Sequence, residues 1–423
     1  MVLRDVTFDV AIIGAGPAGL AVLSALNGKL SVCVIDAHSW LTEWRGRFAA
    51  LDIKFLRSES SANPDVFHSG VSEFAMRTGR RLPEFKWRTG RTLPETGLPE
   101  SRLFEEFCDY LSSSLAHEFV VGTVTSVERA TGGYDLTLDT KKVVRARHVV
   151  FALGAPGPPN VPEPWKLGPR VVHSSDWRRL GLDCVSSRDA VLVIGGGLSA
   201  AQAALKAARK GAKVALCSRR PLATRRFDLP ENWPKRGRAR LFEFYGTPLA
   251  QRAAWVDRER GGGTVPPSYL RELAGVRRVV DVVSEVDATL RVTFHGATEP
   301  FDATRVVLAT GTTRNCARIP LVRDLVRAFD LPVLDGLPLV DETLRWGHER
   351  FTVVGALATL QVGPDAANLT GARRAAEICA DDLGVYDIVD EPPRRLPHSN
   401  NKFDVLLGDD DDDDDDDSEE GSS

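Results

Sequence analysis

Cysteine is scarce and scattered in this chain. Its six residues, Cys33, Cys108, Cys184, Cys217, Cys316 and Cys379, form no C-x-x-C pair and no metal-ligand spacing, so no metal site is expected. Free thiols in a reducing compartment are the plain reading. Long apolar runs are missing as well: nothing approaches the ~18 to 20 residues of a bilayer span. Asp5 and Asp9 fall where a secretory signal needs a positive and then an apolar region. A soluble, cytoplasmic chain without membrane partners is therefore expected. The body also lacks excess negative charge. The formal charge is −4, yet Asp409 to Asp417 with Glu419 and Glu420 hold eleven of the acids, and without them 54 basic residues face 47 acidic ones, a balance of +7.

What is present is a long soluble chain. With 423 residues, 43% apolar and 26% charged, it can bury a large core and has room for two or three domains. Two similar segments stand about 180 residues apart. Phe8 to Ile13 reads as a buried strand, followed by Gly14-Ala15-Gly16-Pro17-Ala18-Gly19, an alanine- and leucine-rich helix to Leu26, and a second strand, Ser31 to Ile35, ending in Asp36. The other copy runs Ala190 to Ile194, Gly195-Gly196-Gly197-Leu198-Ser199-Ala200, a helix to Arg209, and a strand from Lys213 to Leu216 ending in Ser218-Arg219-Arg220. Both are βαβ units of dinucleotide-binding length.

Between and after them, Leu51 to Pro99 reads as a loop-dominated segment over an active site, Ser101 to Leu115 as an amphipathic helix, and Phe119 to Leu153 as a β-meander. Arg305 to Leu308 and Phe351 to Val354 read as further strands, and Asn368 to Asp382 as a helix. From Pro392 onward the chain reads as disordered.

The first glycine turn has the spacing that a pyrophosphate needs. Gly14 permits the tight turn, Gly16 admits the phosphate close to the backbone, and Gly19 lets helix and strand approach, while Pro17 and Ala18 open the helix whose N-terminus favours an anion. Asp36, 22 residues after Gly14, suits a ribose 2′-hydroxyl and repels a 2′-phosphate, which points to FAD or NAD. The second turn, with Gly195, Gly197, Ser199 and Ala200, ends in alanine, which helix packing accepts. Its second strand ends without an acid. Ser218, Arg219 and Arg220 offer a hydroxyl and two guanidinium groups for a 2′-phosphate, which favours NADPH; surface arginines on a basic stretch are the alternative, since 219–260 holds eleven basic and five acidic residues. Two such sites in one chain imply hydride transfer from NADPH to a flavin.

With these motifs in place, the chain resembles the flavoproteins that carry two dinucleotide-binding domains, in the branch of flavin-containing monooxygenases and lysine and ornithine N-hydroxylases, over about residues 5 to 385. The resemblance rests on both glycine turns and on Ala152-Leu153-Gly154 and Ala309-Thr310-Gly311, similar to the family's crossover turns, whose Gly154 and Gly311 are expected at the cofactors. It implies an α/β fold: an FAD-binding Rossmann-like domain (1–170 and 301–390) with an inserted NADPH-binding one (171–300), then an acidic tail (391–423). It also implies reduction of FAD by NADPH, oxygen activation as a flavin C4a-hydroperoxide, and oxygenation of a small molecule. Leu56-Arg57-Ser58 resembles the region beside the flavin, which makes Arg57 and Ser58 the candidate catalytic contacts. Gln361, Gly363 and Pro364 are the candidates for a helix start facing the flavin's pyrimidine edge; a surface arginine and a simple helix start are the plain alternatives.

The absent redox cysteine pair argues against disulfide-reductase chemistry. The monooxygenase fingerprint F-x-G-x-x-x-H is met only in part. Leu167 to His173 has one extra residue before the histidine and no aromatic start, although Trp177 is correctly placed. An NADPH oxidase, a quinone reductase and a non-catalytic flavin-binding regulator stay open. His173 reads as a surface histidine, with a place at the domain hinge as the alternative, and Trp87 and Arg88 read as loop anchors, with substrate contact as the alternative. Trp233, Tyr245 and Trp255 lack any nucleic-acid motif around them, so no nucleic-acid partner is expected.

Overall fold

The computed structural model describes residues 7–26, 28–67, 69–80, 98–154, 157–230, 233–296 and 298–385. Trp87, Arg88 and the tail from Pro392 therefore lie outside the described residues.

The first unit begins with β1 (Thr7–Ile13), α1 (Pro17–Leu26) and β2 (Val32–Asp36), followed by α2 (Thr42–Ala50), α3 (Gly70–Arg77) and α4 (Ser101–Ser114). Then come β3 (Glu118–Val121), β4 (Val124–Ala130), β5 (Gly133–Leu138) and β6 (Val143–Phe151). Its sheet has the order β3-β2-β1-β6-β5-β4. Strands β1 and β2 are apolar almost throughout because both faces of the parallel part of the sheet are buried in the core. The expected meander is corrected at its start: β3 runs parallel to β2, pairing Glu118 with Cys33 and Val121 with Asp36, and only β4, β5 and β6 are antiparallel. Alternation alone does not separate a parallel neighbour from a hairpin partner. The loop expected at 51–99 contains α3, whose Val71 and Ala75, four apart, are buried.

The second unit contains β7 (Val171–His173), β8 (Ala190–Ile194), α5 (Leu198–Arg209), β9 (Lys213–Ser218), β10 (Ala223–Thr224), α6 (Trp233–Gly246) and α7 (Leu249–Arg260). It continues through β11 (Thr264–Val265), α8 (Pro267–Glu272), β12 (Arg277–Val280), β13 (Val283–Val286), β14 (Arg291–Phe294), β15 (Phe301–Asp302) and β16 (Arg305–Leu308). The main sheet, β12-β9-β8-β16-β7, is parallel throughout. Because β16 sits between β8 and β7, this sheet extends past the boundary expected at residue 300. The chain then returns to the first unit through α9 (Pro320–Phe329), the hairpin β17 (Val333–Leu334) and β18 (Leu337–Pro338), and β19 (Phe351–Val353), which pairs parallel with the C-terminal half of β6. The final helices are α10 (Thr359–Val362) and α11 (Leu369–Asp382).

Burial explains the layering. Leu20, Leu23 and Leu26 of α1 are fully or almost fully buried. Each such leucine contributes about 1.5–3 kcal/mol over leaving it in water. Alanines on α1 and α11 let the two helices pack closely. No helix among the described residues is long and apolar enough to cross a membrane.

Candidate functional site

The two glycine turns are built alike. A Cβ at Gly14 would stand 2.4 Å from the Ala152 carbonyl oxygen, and one at Gly195 would stand 2.3 Å from that of Ala309. Both glycines have positive φ, 114° and 148°. Each turn therefore lies flush on the strand end that follows its sheet's neighbouring strand, which accounts for the paired Ala152-Leu153-Gly154 and Ala309-Thr310-Gly311. Gly19 must also be bare, since its Cβ would fall 2.0 Å from the Gly14 oxygen. Gly16, Gly154 and Gly311 instead face open space.

That space is one cavity of about 2400 Å³ between the units. Single ligand pockets run to roughly 1,000 Å³, so the volume suits two dinucleotides and a substrate. Gly14, Gly16, Pro17, Ala18, Asp36 and Gly154 line it from the first unit, and Gly195, Gly197, Ser199, Ser218, Arg219, Arg220 and Gly311 from the second. Gly19 and the buried Ala200 serve helix packing and are not in its wall.

The ends of β2 and β9 differ. The Asp36 carboxylate accepts hydrogen bonds from the N–H groups of Ala15 (2.8 Å) and His38 (2.9 Å), which fixes it at the end of β2 beside the first turn. In the second unit the Ser218 hydroxyl is spent on the Arg220 carbonyl at 2.7 Å. Arg219 and Arg220 beside it are both exposed and, among the described residues, paired with no carboxylate. Much of the remaining basic stretch is internal: Arg225 and Arg252 donate to backbone carbonyls, Arg240 pairs with Glu243 and Glu259, and Arg260 pairs with Asp228. Tyr245 and Trp255 are buried against Phe244, so these two rings present no stacking surface.

Arg57 and Ser58 both line the cavity. The Arg57 guanidinium, however, donates to the carbonyls of Arg225 (2.7 Å), Phe227 (2.9 Å), Arg226 (3.0 Å) and Thr264 (3.3 Å), and to the Thr264 hydroxyl (2.7 Å). Burial pulls its pKa down to about 10, with Asp228 at 3.7 Å opposing. Its donors are thus committed to fastening the 55–63 loop to the second unit.

Gln361, Gly363 and Pro364 do not line the cavity, which corrects the expected position of the flavin-facing helix start. The Gln361 side-chain oxygen accepts from Arg252 at 2.9 Å, and the Pro364 carbonyl accepts from Arg260 at 2.5 Å. Gly363 packs near Leu241 and Phe244. The helix end that opens into the cavity is that of α11, through Asn368, Leu369 and Thr370, with a buried, bidentate Asp365–Arg374 pair beside it (2.5 and 3.0 Å). The proline-marked turn at Gly363 masked the real start. His173 is likewise corrected: it is 2% exposed, Ser175 engages its Nδ1, and burial holds the imidazole below its ordinary pKa.

Three features were missed in the sequence. Arg47 lines the cavity from α2. Glu59 lines it with a carboxyl that burial pushes up against the pull of Arg226. Gly261-Gly262-Gly263 lies across the second turn, where a Cβ at Gly263 would stand 2.8 Å from the Gly197 Cα. The glycine triplet was a visible signal; the other two depend on contacts remote in sequence. Among the described residues no cluster of His, Cys, Asp or Glu could hold a metal.

The pyridine nucleotide-disulphide oxidoreductase model matches residues 8–230 and 189–359. A search of curated proteins returned no match. Among solved structures, the chain is similar to the Kutzneria sp. 744 ornithine N-hydroxylase with reduced FAD, NADP⁺ and L-ornithine (19% identity, 90% of this chain and 99% of that one, TM-score 0.67). It is also similar to the FAD-bound cadaverine monooxygenase of Erwinia amylovora (15%, 96% and 99%, 0.68) and to the ornithine hydroxylase of Pseudomonas aeruginosa (17%, 89% and 99%, 0.66). At these identities the likeness is one of fold.

Proposed function

The chain belongs to the pyridine nucleotide-disulphide oxidoreductase family, and from that premise we propose that it is an FAD- and NADPH-using monooxygenase acting on a small molecule. The observation that carries this reading is the single cavity into which both glycine turns open. The flavin unit would comprise 7–154 and 312–385 and the nicotinamide unit 157–311, following the two sheets.

The residues fit both cofactors. The cradle at Gly16 is open where a pyrophosphate approaches, and α1 and α5 start directly behind the two turns, where a helix N-terminus favours an anion. Asp36 would hold the FAD ribose, and Arg219 and Arg220 the 2′-phosphate of NADPH. When bound, the flavin supplies hydride acceptance and oxygen activation. The chain's own part is placement and exclusion of water. Trp44, Phe48 and Leu56 form an apolar stretch of the cavity wall, the Arg57 contacts hold the two units together over it, and the α11 N-terminus presents positive potential where negative charge gathers on reduction.

Disulfide chemistry does not fit. All six cysteines are free, and Cys217, the one in the cavity wall, has its thiol pushed up to about 11 by burial, so it is protonated at neutral pH. An NADPH oxidase is the second reading, favoured by the incomplete fingerprint, whose His173 is buried outside the cavity wall. Anaerobic NADPH should bleach the flavin of the purified holoprotein. Oxygen with a panel of amines, thioethers and ketones should then give an oxygenated product with little peroxide. Peroxide release matching NADPH consumption for every compound would return the protein to the oxidase reading, and absence of bleaching would make it a binding protein.

A further inference from the structure

Helix α2 belongs to the flavin unit but is pressed against the nicotinamide unit. A Cβ at Gly46 would fall 2.4 Å from the Trp177 ring, so only glycine lets the helix lie on that indole. Trp177 Nε1 donates to Glu43 at 2.8 Å and Arg178 to the other Glu43 oxygen at 2.5 Å. On the cavity side Trp44 and Phe48 stack at 3.6 Å. These contacts fix the direction of Arg47, the residue after Gly46.

Arg47 is exposed, its guanidinium open to the cavity, and the surrounding protein pulls its pKa down. Its Nη2 donates to the Ser199 hydroxyl at 3.4 Å, and among the described residues no carboxylate lies within ion-pair distance of it. Glu43, on the same helix, is already committed to Arg178. The guanidinium is thus a cation open to the cavity with no protein counter-charge. Ser199 stands in the first turn of α5, where unpaired N–H groups and the helix dipole also favour an anion. Two positive features from different units thus converge on one point of the cavity.

We propose that Arg47 is the flavin unit's ligand to the pyrophosphate of NADPH, closing on it from the side opposite α5. The inference rests on the NADPH reading above. It makes the nicotinamide cofactor a bridge between the units, and it assigns pyrophosphate to Arg47 at the turn after β8 and 2′-phosphate to Arg219 and Arg220 at the end of the neighbouring parallel strand β9.

The test is calorimetric titration of the FAD-loaded full chain with NADP⁺ and, separately, with adenosine 2′-monophosphate, which lacks the pyrophosphate. Arg47→Ala, and Arg47→Gln to keep the aliphatic stem, should raise the Kd for NADP⁺ roughly ten- to a hundredfold, the range of a charge-assisted hydrogen bond. Adenosine 2′-monophosphate affinity and FAD content should not change. An unchanged Kd for NADP⁺, equal weakening of both ligands, or loss of FAD from both variants overturns the inference and leaves NADPH use standing. A wild-type holoprotein that fails to bind NADP⁺ removes the cofactor reading itself.

Discussion

Replacing Arg57 with alanine separates two roles that the residue's place in the sequence confounds: contact with the reacting groups, and fastening of one unit to the other. The guanidinium meets five acceptors on two segments of the second unit, four of them main-chain carbonyls, and its side chain is only 14% exposed. Hydrogen bonds to a charged group are worth about 1.5–3 kcal/mol each, but they share one side chain and water from the cavity can replace several of them. A net loss of about 3 kcal/mol is expected. At roughly 2–4 °C per kcal/mol for a unit of this size, Tm should fall by about 6–12 °C. Arg57→Lys should recover less than half of that, because an ammonium is a single point where the guanidinium is a fork. Thermal unfolding followed by tryptophan fluorescence gives the stability, and limited proteolysis of residues 223–230 shows whether the fastened segment has come loose. An Arg57→Ala protein with unchanged Tm and protection, but with lost turnover, would refute the clamp and restore direct contact with substrate.

The other expectations are shorter. Arg219→Ala and Arg220→Ala should each lower the NADPH-over-NADH preference in kcat/KM by roughly tenfold or more, and a preference that survives the double substitution would remove the 2′-phosphate assignment. Gly14→Ala places a methyl group 2.4 Å from a carbonyl oxygen at φ 114°, so the purified variant should carry little FAD; full flavin content would contradict the turn as drawn. Burial holds His173 and His148 below the ordinary imidazole value of 6.5, so below that pH the unfolded chain binds more protons than the folded one. Their stabilising contribution is present above about 6.5 and is lost as pH falls, so the urea midpoint should drop between pH 7 and 5, with a smaller drop in His173→Asn; equal drops would assign the loss to other groups.

The legible part of this molecule was its local part. A strand, a glycine turn and an alanine-rich helix are specified by residues within about thirty positions of one another, so β1 to β2 and β8 to β9 were placed to within a residue or two. The same turns carry the reason for Gly14 and Gly195, since each needs a positive φ and a bare Cα against the crossover strand. What alternation did not reveal was neighbourhood. The parallel pairing of β3 with β2, and the insertion of β16 between β8 and β7, are decided by which apolar faces need covering, not by the strands' own composition.

Arginine shows the same limit within the site. Read along the chain, Arg219 to Arg260 is a run of like charge and reads as one basic surface. In the fold Arg252 is 8% exposed and binds three carbonyls, Arg240 meets the buried Glu259, and Arg260 meets Asp228, so many of these cations are internal struts joining α6, α7 and the 223–230 segment. The cations left open to the cavity, Arg47, Arg219 and Arg220, are chosen by the absence of a nearby carboxylate, a property of three-dimensional packing. Arg47 gave no signal at all: it sits in the flavin unit, more than 150 positions from the Ser199 that it faces. Composition therefore counts the charges correctly, but only the fold separates a charge already balanced by protein from one left open to the cavity.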